Sequence, residues 1–277
     1  MPELPEVEVT RQGLLPHVSG RTITAVSCSG KPLRQSVPEE LLQACLCGKS
    51  ISTVDRRAKY LLIRLQDSGT LVIHLGMTGR LGVFPGAAAQ AKHDHLILFL
   101  DNGMEIRQND TRRFGSIALW PSEQAKELEQ EFVSRQGIEP FSREFTGSAL
   151  LQLAGKSRQP VKNFLMDAHR ISGIGNIYAN EILFAAGLHP QTPANTLSEQ
   201  QWQQVVDTAV RILTKAIEAG GSTISDFLGA SGESGYFQLQ LAVYGKEGTP
   251  CPRCGLALEK SVIAGRATFF CSCCQPL

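Results

Sequence analysis

Four of the eight cysteines in this 277-residue chain form two pairs near its end, Cys251-Pro-Arg-Cys254 and Cys271-Ser-Cys-Cys274, with sixteen residues between the pairs. Two Cys-x2-Cys turns at that separation let four thiolates meet one tetrahedral metal, the four-cysteine zinc ribbon pattern. No other feature constrains the fold as much, because residues 245–277 must close as a small hairpin module around a single ion. Four thiolates leave no open coordination position, so the expected Zn2+ is structural. Cys273 is a spare thiol, and the regular two-residue spacing selects Cys274 as the ligand. Between the pairs, Lys260, Arg266 and Thr268 are able to reach phosphate. The chain has no stretch of roughly 18 apolar residues and no basic-then-apolar leader, so an intracellular, cytoplasmic protein without a membrane span is expected. In that compartment, clustered cysteines signal metal before disulfides.

The opposite end carries chemistry of its own. The chain starts Met1-Pro2-Glu3-Leu4-Pro5-Glu6. With Met1 removed, Pro2 presents a free secondary amine whose pKa of roughly 8 leaves a usable nucleophilic fraction near neutrality. Its attack on an aldehyde-like carbon gives an iminium ion, an electron sink like a lysine Schiff base. Glu3 and Glu6 supply ionisable acids beside it.

The segments between the ends fall into two patterns. Glu6–Leu15 has helical spacing. Short runs rich in Ile, Leu and Val follow at Thr22–Ser27, Tyr60–Leu65, Thr70–His74, His95–Leu100, Met104–Arg107 and Ser116–Trp120. Asp101-Asn102-Gly103 reads as a hairpin turn, Pro38–Cys47 as an interposed helix, and the strands as a sandwich or barrel. Past residue 122 the pattern turns helical. Ser198 caps a run from Glu199 that stops at Gly220-Gly221, and Asn176 reads as the cap of Ile177–Ala186, with Gly187 as its stop. The expected architecture is multidomain α+β. It has an N-terminal β-sandwich domain over 1–136, a linker over 137–147, a helical domain over 148–244 and the ribbon over 245–277.

A net charge of +1 does not advertise a nucleic-acid binder, but phosphate contacts are local. Basic clusters occur at Arg56, Arg57 and Lys59, at Arg107, Arg112 and Arg113, and at Lys156, Arg158 and Lys162. Gly173-Ile-Gly175-Asn176 precedes a helix whose N-terminus suits an anion, and it lacks the P-loop lysine. Met77 in His74-Leu-Gly-Met-Thr-Gly79, and Arg112 and Phe114 in Asp110-Thr-Arg-Arg-Phe-Gly115, are wedge-type side chains, which an enzyme needs to fill the gap left by an extruded base. Lys92-His93-Asp94-His95 is a weak metal pattern and is better read as hydrogen bonding, to phosphate or within the fold.

Taken together, the segments MPELPEVE, RRAKYLL, HLGMTG, KHDH, DTRRFG, GIGNIYANEILFAAGLHP, GYF and the final cysteine pairs around ATFF resemble the bacterial formamidopyrimidine-DNA glycosylases over residues 1–274. The resemblance implies a β-sandwich, a helix–two-turns–helix domain and a zinc ribbon, with double-stranded DNA bound in the cleft between them. It implies excision of oxidised purines such as 8-oxoguanine, followed by β,δ-elimination, with no redox cofactor and no catalytic metal. By motif, Pro2 is the nucleophile at C1′, Glu3 the general acid and Glu6 a supporting carboxylate. Lys59 contacts phosphate and assists elimination, and Arg266 grips the phosphates flanking the lesion. Asn176 binds phosphate, His93 contacts DNA, and Met77, Arg112 and Phe114 fill the void. Lys156 and Arg158 share a basic role where relatives carry more lysine, and Ser157 stands between them. Tyr236 ends the stretch from Ser222 expected to cap the flipped base, which Glu233 makes more acidic than usual. Thr111 replaces a common proline. A monomer is expected, because one asymmetric lesion needs one site. An endonuclease VIII-like enzyme for oxidised pyrimidines and a non-catalytic zinc-ribbon DNA-binding protein are the alternatives; Leu4 and the HLGMTG loop favour the purine enzyme.

Overall fold

Leu4, Val7, Leu14 and Val18 recur at helical spacing, and all four are fully buried along one face of α1 (Leu4–Val18). Glu3 is the extended N-cap residue, and Pro5 lies in the first turn, where a missing N–H leaves no bond unmade. The Glu6 carboxylate reaches back to accept the Glu3 backbone N–H at 2.8 Å. The computed structural model describes residues 2–220 and 241–277, which form two compact units, one containing 2–133 and 219–220 and the other containing 134–218 and 241–277.

The first unit is a two-layer sandwich. Its strands are β1 (Ile23–Cys28), β2 (Ile51–Arg57), β3 (Tyr60–Leu65), β4 (Thr70–His74), β5 (Gly79–Pro85), β6 (Asp94–Leu100), β7 (Met104–Asp110) and β8 (Ser116–Trp120). One antiparallel sheet runs β1-β6-β7-β5 and the other β2-β3-β4-β8. Their inner faces share one core with α1, which includes Ile23, Val54, Leu61, Ile73, Leu98 and Ile106. The turn at Asp101-Asn102-Gly103 forms as expected, with Gly103 at φ +78° and the Asn102 side chain accepting the Met104 N–H. Strands β2 and β5 are additions to the sequence reading. Polar Ser52, Thr53 and Asp55 obscure β2, and Gly79, Gly82 and Pro85 obscure β5, until pairing with a neighbour supplies what local preference lacks. Helix α2 (Glu39–Leu46) lies where expected, and α3 (Ala125–Ser134) lays Leu128 and Phe132 over Leu62, Val72 and Trp120.

The second unit packs α4 (Gly147–Ala154), α5 (Val161–Met166), α6 (Asn176–Ala186) and α7 (Glu199–Glu218) around Tyr178, Phe164 and Trp202, with the last two rings 5.1 Å apart. Two reversals join α5 to α6, the second at Gly173 with φ +101°. Ser198 caps α7, its hydroxyl accepting the Gln201 N–H at 3.2 Å. Gly187 ends α6 in the left-handed conformation. Residues 137–147, expected as a linker, lie in this unit: the Gly137 N–H bonds the Ala168 carbonyl, and Ile138 pairs with Ile171. The C-terminal hairpin of β9 (Glu259–Ile263) and β10 (Arg266–Phe270) packs against α6 through Phe184, Leu258 and Phe269.

Buried Glu181 ties the chain entering this hairpin to α6. Its carboxylate accepts the backbone N–H groups of Ala242 at 2.7 Å, Val243 at 2.9 Å and Tyr244 at 2.8 Å. Glu181→Gln turns an amide NH2 toward at least one of these donors and is expected to destabilise the unit by about 2 kcal/mol. Thermal melts of the zinc-loaded protein measure this, and an unchanged midpoint would remove the role.

Candidate active site and nucleic-acid interface

The N-terminal residues are held firmly in the first unit. Glu3 and Glu6 are brought together at the start of α1, with Glu3 fully buried and Glu6 nearly so. Pro2 precedes this anchored cap and is partly exposed. Lys59 sits in the two-residue turn joining β2 to β3, between paired Arg57 and Tyr60. Ala58 adopts φ 54°, the left-handed geometry of a tight hairpin, and the Arg56 guanidinium holds its carbonyl at 3.0 Å.

His74 closes β4 beside this turn in the sheet, its ring tilted against that of Tyr60 with the centroids 4.7 Å apart. Its Nδ1 accepts the Gly76 N–H at 3.1 Å, so the proton of the neutral ring sits on Nε2. Burial first, then the positive charges of Lys59 and Arg34, hold its pKa down to about 4. His95, in the next sheet, is buried, and its Nε2–H donates to the Asp110 carbonyl at 3.0 Å while Nδ1 accepts from the Ser29 hydroxyl at 2.8 Å. The Lys92–His95 segment is thus partly an internal hydrogen-bonding device, and His93 remains partly exposed.

Met77, Arg112 and Phe114 come from the β4–β5 and β7–β8 connections. Arg112 and Phe114 are exposed, with the guanidinium 4.8 Å from the ring centroid, a cation–π pair on the surface. Arg107, which the sequence groups with them, points elsewhere. It is buried, pairs with Glu105 at 2.7 Å and holds the carbonyls of Ala88 and Ala89. Arg56 likewise pairs with Glu8 at 3.1 Å. Clusters in the sequence are not clusters on the surface, because alternate residues of a strand face opposite sides.

In the second unit, α6 and β10 carry the candidate phosphate contacts. The expectation that Asn176 caps α6 is corrected: Gly175 is the N-cap and Asn176 the first helical residue. Its amide is drawn instead to the Ala267 carbonyl, to which Nδ2 donates at 3.1 Å. An NH2 group has two donors, so one is left for an anion at the helix start. The same carbonyl accepts from Lys162 Nζ at 2.9 Å, and Nζ also donates to the Thr268 hydroxyl at 2.7 Å. Asn180 Oδ1 accepts the Phe269 N–H at 2.7 Å. These bonds set β10 on α6, with exposed Arg266 at the strand's first position. Lys162, which the sequence groups with Lys156 and Arg158 in a basic cluster, is instead buried and positions β10; its place beside Val161, Phe164 and Leu165 is the local signal for that. Burial, then nearby Arg266, lowers its pKa to about 8. Lys156 and Arg158 are exposed in the α4–α5 connection, which Ser157 ties down through backbone bonds to Ala154 and Asn195. Tyr236, Ser222 and Glu233 lie outside the described residues.

Cys251, Cys254, Cys271 and Cys274 place all four sulfur atoms within 4.8 Å of one another, with Cys251–Cys274 at 3.8 Å and Cys254–Cys271 at 3.5 Å. Four thiolates at about 2.3 Å from one zinc stand roughly 3.8 Å apart, so the set fits a structural zinc. Cys273 lies outside it and is exposed. Burial raises the Cys251 thiol, but the Arg253 and Cys254 backbone N–H groups outweigh it and bring it down to about 7. Burial and the neighbouring thiols push Cys274 up to about 12. Only a cation lets all four ionise together.

The chain matches three family models in succession: the formamidopyrimidine-DNA glycosylase N-terminal domain over residues 1–117, the formamidopyrimidine-DNA glycosylase H2TH domain over 136–228, and a zinc finger found in FPG and IleRS over 248–277. It is 45% identical over 275 residues to the formamidopyrimidine-DNA glycosylase of Photobacterium profundum, covering 99% of this chain and 100% of the relative. Against that of Laribacter hongkongensis it is 46% identical over 278 residues, with the same coverage. Among solved structures it is similar to Lactococcus lactis Fpg in complex with DNA containing an abasic site (TM-score 0.89, 34% identity, 99% and 100% coverage). It is also similar to the same protein in complex with DNA containing an oxidised pyrimidine (TM-score 0.88, 34% identity, full coverage of both chains).

Two outcomes follow from the site's chemistry. The His74 pKa lies below its unfolded value of about 6.5, so stability from the neutral ring is complete above pH 6.5 and is lost as pH falls toward 4. The loss is expected to reach roughly 2–3 kcal/mol, and His74→Asn, which keeps an acceptor for Gly76, should flatten it in denaturant melts taken across that window. Metal analysis should find one zinc per chain. Chelation should expose the thiols to a colorimetric reagent and weaken DNA binding; thiols that stay masked after chelation would argue against the site.

Proposed function

Because the chain belongs to the formamidopyrimidine-DNA glycosylase family, we propose that Pro2 carries the excision of oxidised purines as its nucleophile. The protein is a DNA glycosylase of base excision repair, acting on double-stranded DNA and built around one structural zinc. The observation that carries the assignment is the anchored terminus. Glu6 fixes the Glu3 N–H, Glu3 caps α1, and α1 is locked into the sandwich core, so Pro2 is held at the end of a rigid element.

With Met1 removed, the Pro2 nitrogen attacks C1′ of the flipped nucleotide. The bond from C1′ to the base breaks, its electron pair leaves with the base, and a carboxyl proton from Glu3 neutralises the leaving group. Glu3, now a carboxylate, takes the proton that the Pro2 nitrogen sheds and passes it to O4′ as the nitrogen lone pair breaks the C1′–O4′ bond, which opens the sugar to the iminium. The iminium acidifies C2′; loss of that proton expels the 3′ phosphate, and a second elimination expels the 5′ phosphate. Lys59 and Arg266 neutralise the phosphates as they leave. Asn176, Lys156, Arg158, His93 and Tyr236 hold the backbone and the flipped nucleotide, while Met77, Arg112 and Phe114 occupy the vacated stack. The zinc stays out of the chemistry and holds the hairpin that carries Arg266. Among the described residues no helix is long and apolar enough to cross a membrane, and we place the activity in the bacterial cytoplasm, in a monomer.

The Lactococcus complex with an oxidised pyrimidine supports assaying thymine glycol beside 8-oxoguanine opposite cytosine, with the purine expected to be cleaved faster. Borohydride should trap a covalent complex on either 8-oxoguanine or abasic DNA once mass spectrometry shows Met1 absent. Pro2→Gly should lower trapping and cleavage by a factor on the order of 10³. Parental cleavage by that variant would falsify the nucleophile.

A further inference from the structure

The loops bearing Met77, Arg112 and Phe114 meet at one buried carboxylate. Asp110 is fully buried at the end of β7. Its Oδ1 accepts the Thr78 hydroxyl and, at 3.3 Å, the Arg112 backbone N–H, while its Oδ2 accepts the Gly115 N–H at 2.8 Å. The Thr78 oxygen in turn accepts the Arg112 N–H at 3.1 Å. Thr78 follows Met77, and the Arg112 and Gly115 donors bracket Phe114.

The backbone around this carboxylate has no slack. A Cβ on Gly76 would lie 2.4 Å from the Phe114 carbonyl carbon, and one on Gly115 would lie 2.8 Å from the His74 carbonyl oxygen. The main chain of Asp110 is held as well, its N–H by the His93 carbonyl and its carbonyl by His95. The two loops therefore lie backbone against backbone, and both carboxylate oxygens of Asp110 are engaged. Charge-assisted bonds to a fully buried carboxylate are strong, and the carboxylate is costly to leave unmet.

We propose that Asp110 and Thr78 form a positioning clamp that fixes the spacing of the three wedge side chains before DNA arrives. The inference rests on the base-extruding reading of the site. A wedge that parts stacked bases works against their stacking energy, so loops that yield would relax instead of inserting. Neither residue touches the reacting atoms. Their effect belongs to the step that opens duplex DNA and not to the chemistry at C1′.

Thr78→Val keeps the shape and removes the hydroxyl; Thr78→Ser restores the hydroxyl alone. The test uses full-length, zinc-loaded protein on two substrates: a duplex with 8-oxoguanine opposite cytosine, and a single-stranded oligonucleotide with a preformed abasic site, which has no stack to open. Thr78→Val should lower single-turnover excision from the duplex by roughly tenfold or more, leave borohydride trapping on the single strand within about twofold, and be rescued by Thr78→Ser. Unaltered duplex excision by Thr78→Val overturns the clamp. An equal loss on both substrates overturns it too, since that marks a general fault. A parent chain inactive on both substrates would instead remove the glycosylase reading on which the proposal stands.

Discussion

A buried carboxylate accepting main-chain N–H groups is the interaction on which each functional segment depends. Glu6 takes the Glu3 N–H and fixes the start of α1. Asp110 takes those of Arg112 and Gly115 and joins two loops of the sandwich. Glu181 takes three consecutive N–H groups of 242–244 and seats the chain that enters the zinc hairpin. Such bonds are among the stronger ones available to a protein, and a buried donor deprived of its partner is penalised heavily. Segments that belong to no regular ladder are thereby made nearly as rigid as those that do.

The zinc hairpin uses a second device. Metal alone would close the cysteine turns, but it would not orient Arg266. Orientation comes from α6 and α5, where Asn176 and Lys162 converge on the Ala267 carbonyl and Asn180 takes the Phe269 N–H. Lys162 stays buried because both of its main partners are oxygens of β10, and its closeness to Arg266 adds a repulsion that those bonds offset. One asparagine at the start of α6 thus also holds the hairpin, through its bond to the Ala267 carbonyl next to Arg266.

Much of this was legible beforehand where the signal is local. The two Cys-x2-Cys turns specify four thiolates, and Cys274 was separable from Cys273 by spacing alone. The Asn-Gly turn after β6, the glycine stop of α6 and the Ser198 cap depend on backbone preferences that act within a few residues. Strands β2 and β5 were hidden because their residues are polar or glycine-rich and become strands through pairing. Arg107 and Lys162 were misplaced for a related reason: charge along a sequence carries no information about which face of an element meets the core.

The sequence by itself determined the zinc ligands, the order of sandwich, helices and ribbon, and the family to which the chain belongs, since these rest on spacing and on residue types that tolerate few substitutes. Only the tertiary structure decided what Asn176, Lys162, Asp110 and Thr78 do. Asn176 and Lys162 reach across 91 and 105 residues to one main-chain carbonyl, and Thr78 reaches across 32 residues to the Asp110 carboxylate. A hydrogen bond needs its two atoms within about 3 Å, and only the folded packing of the elements brings such partners that close.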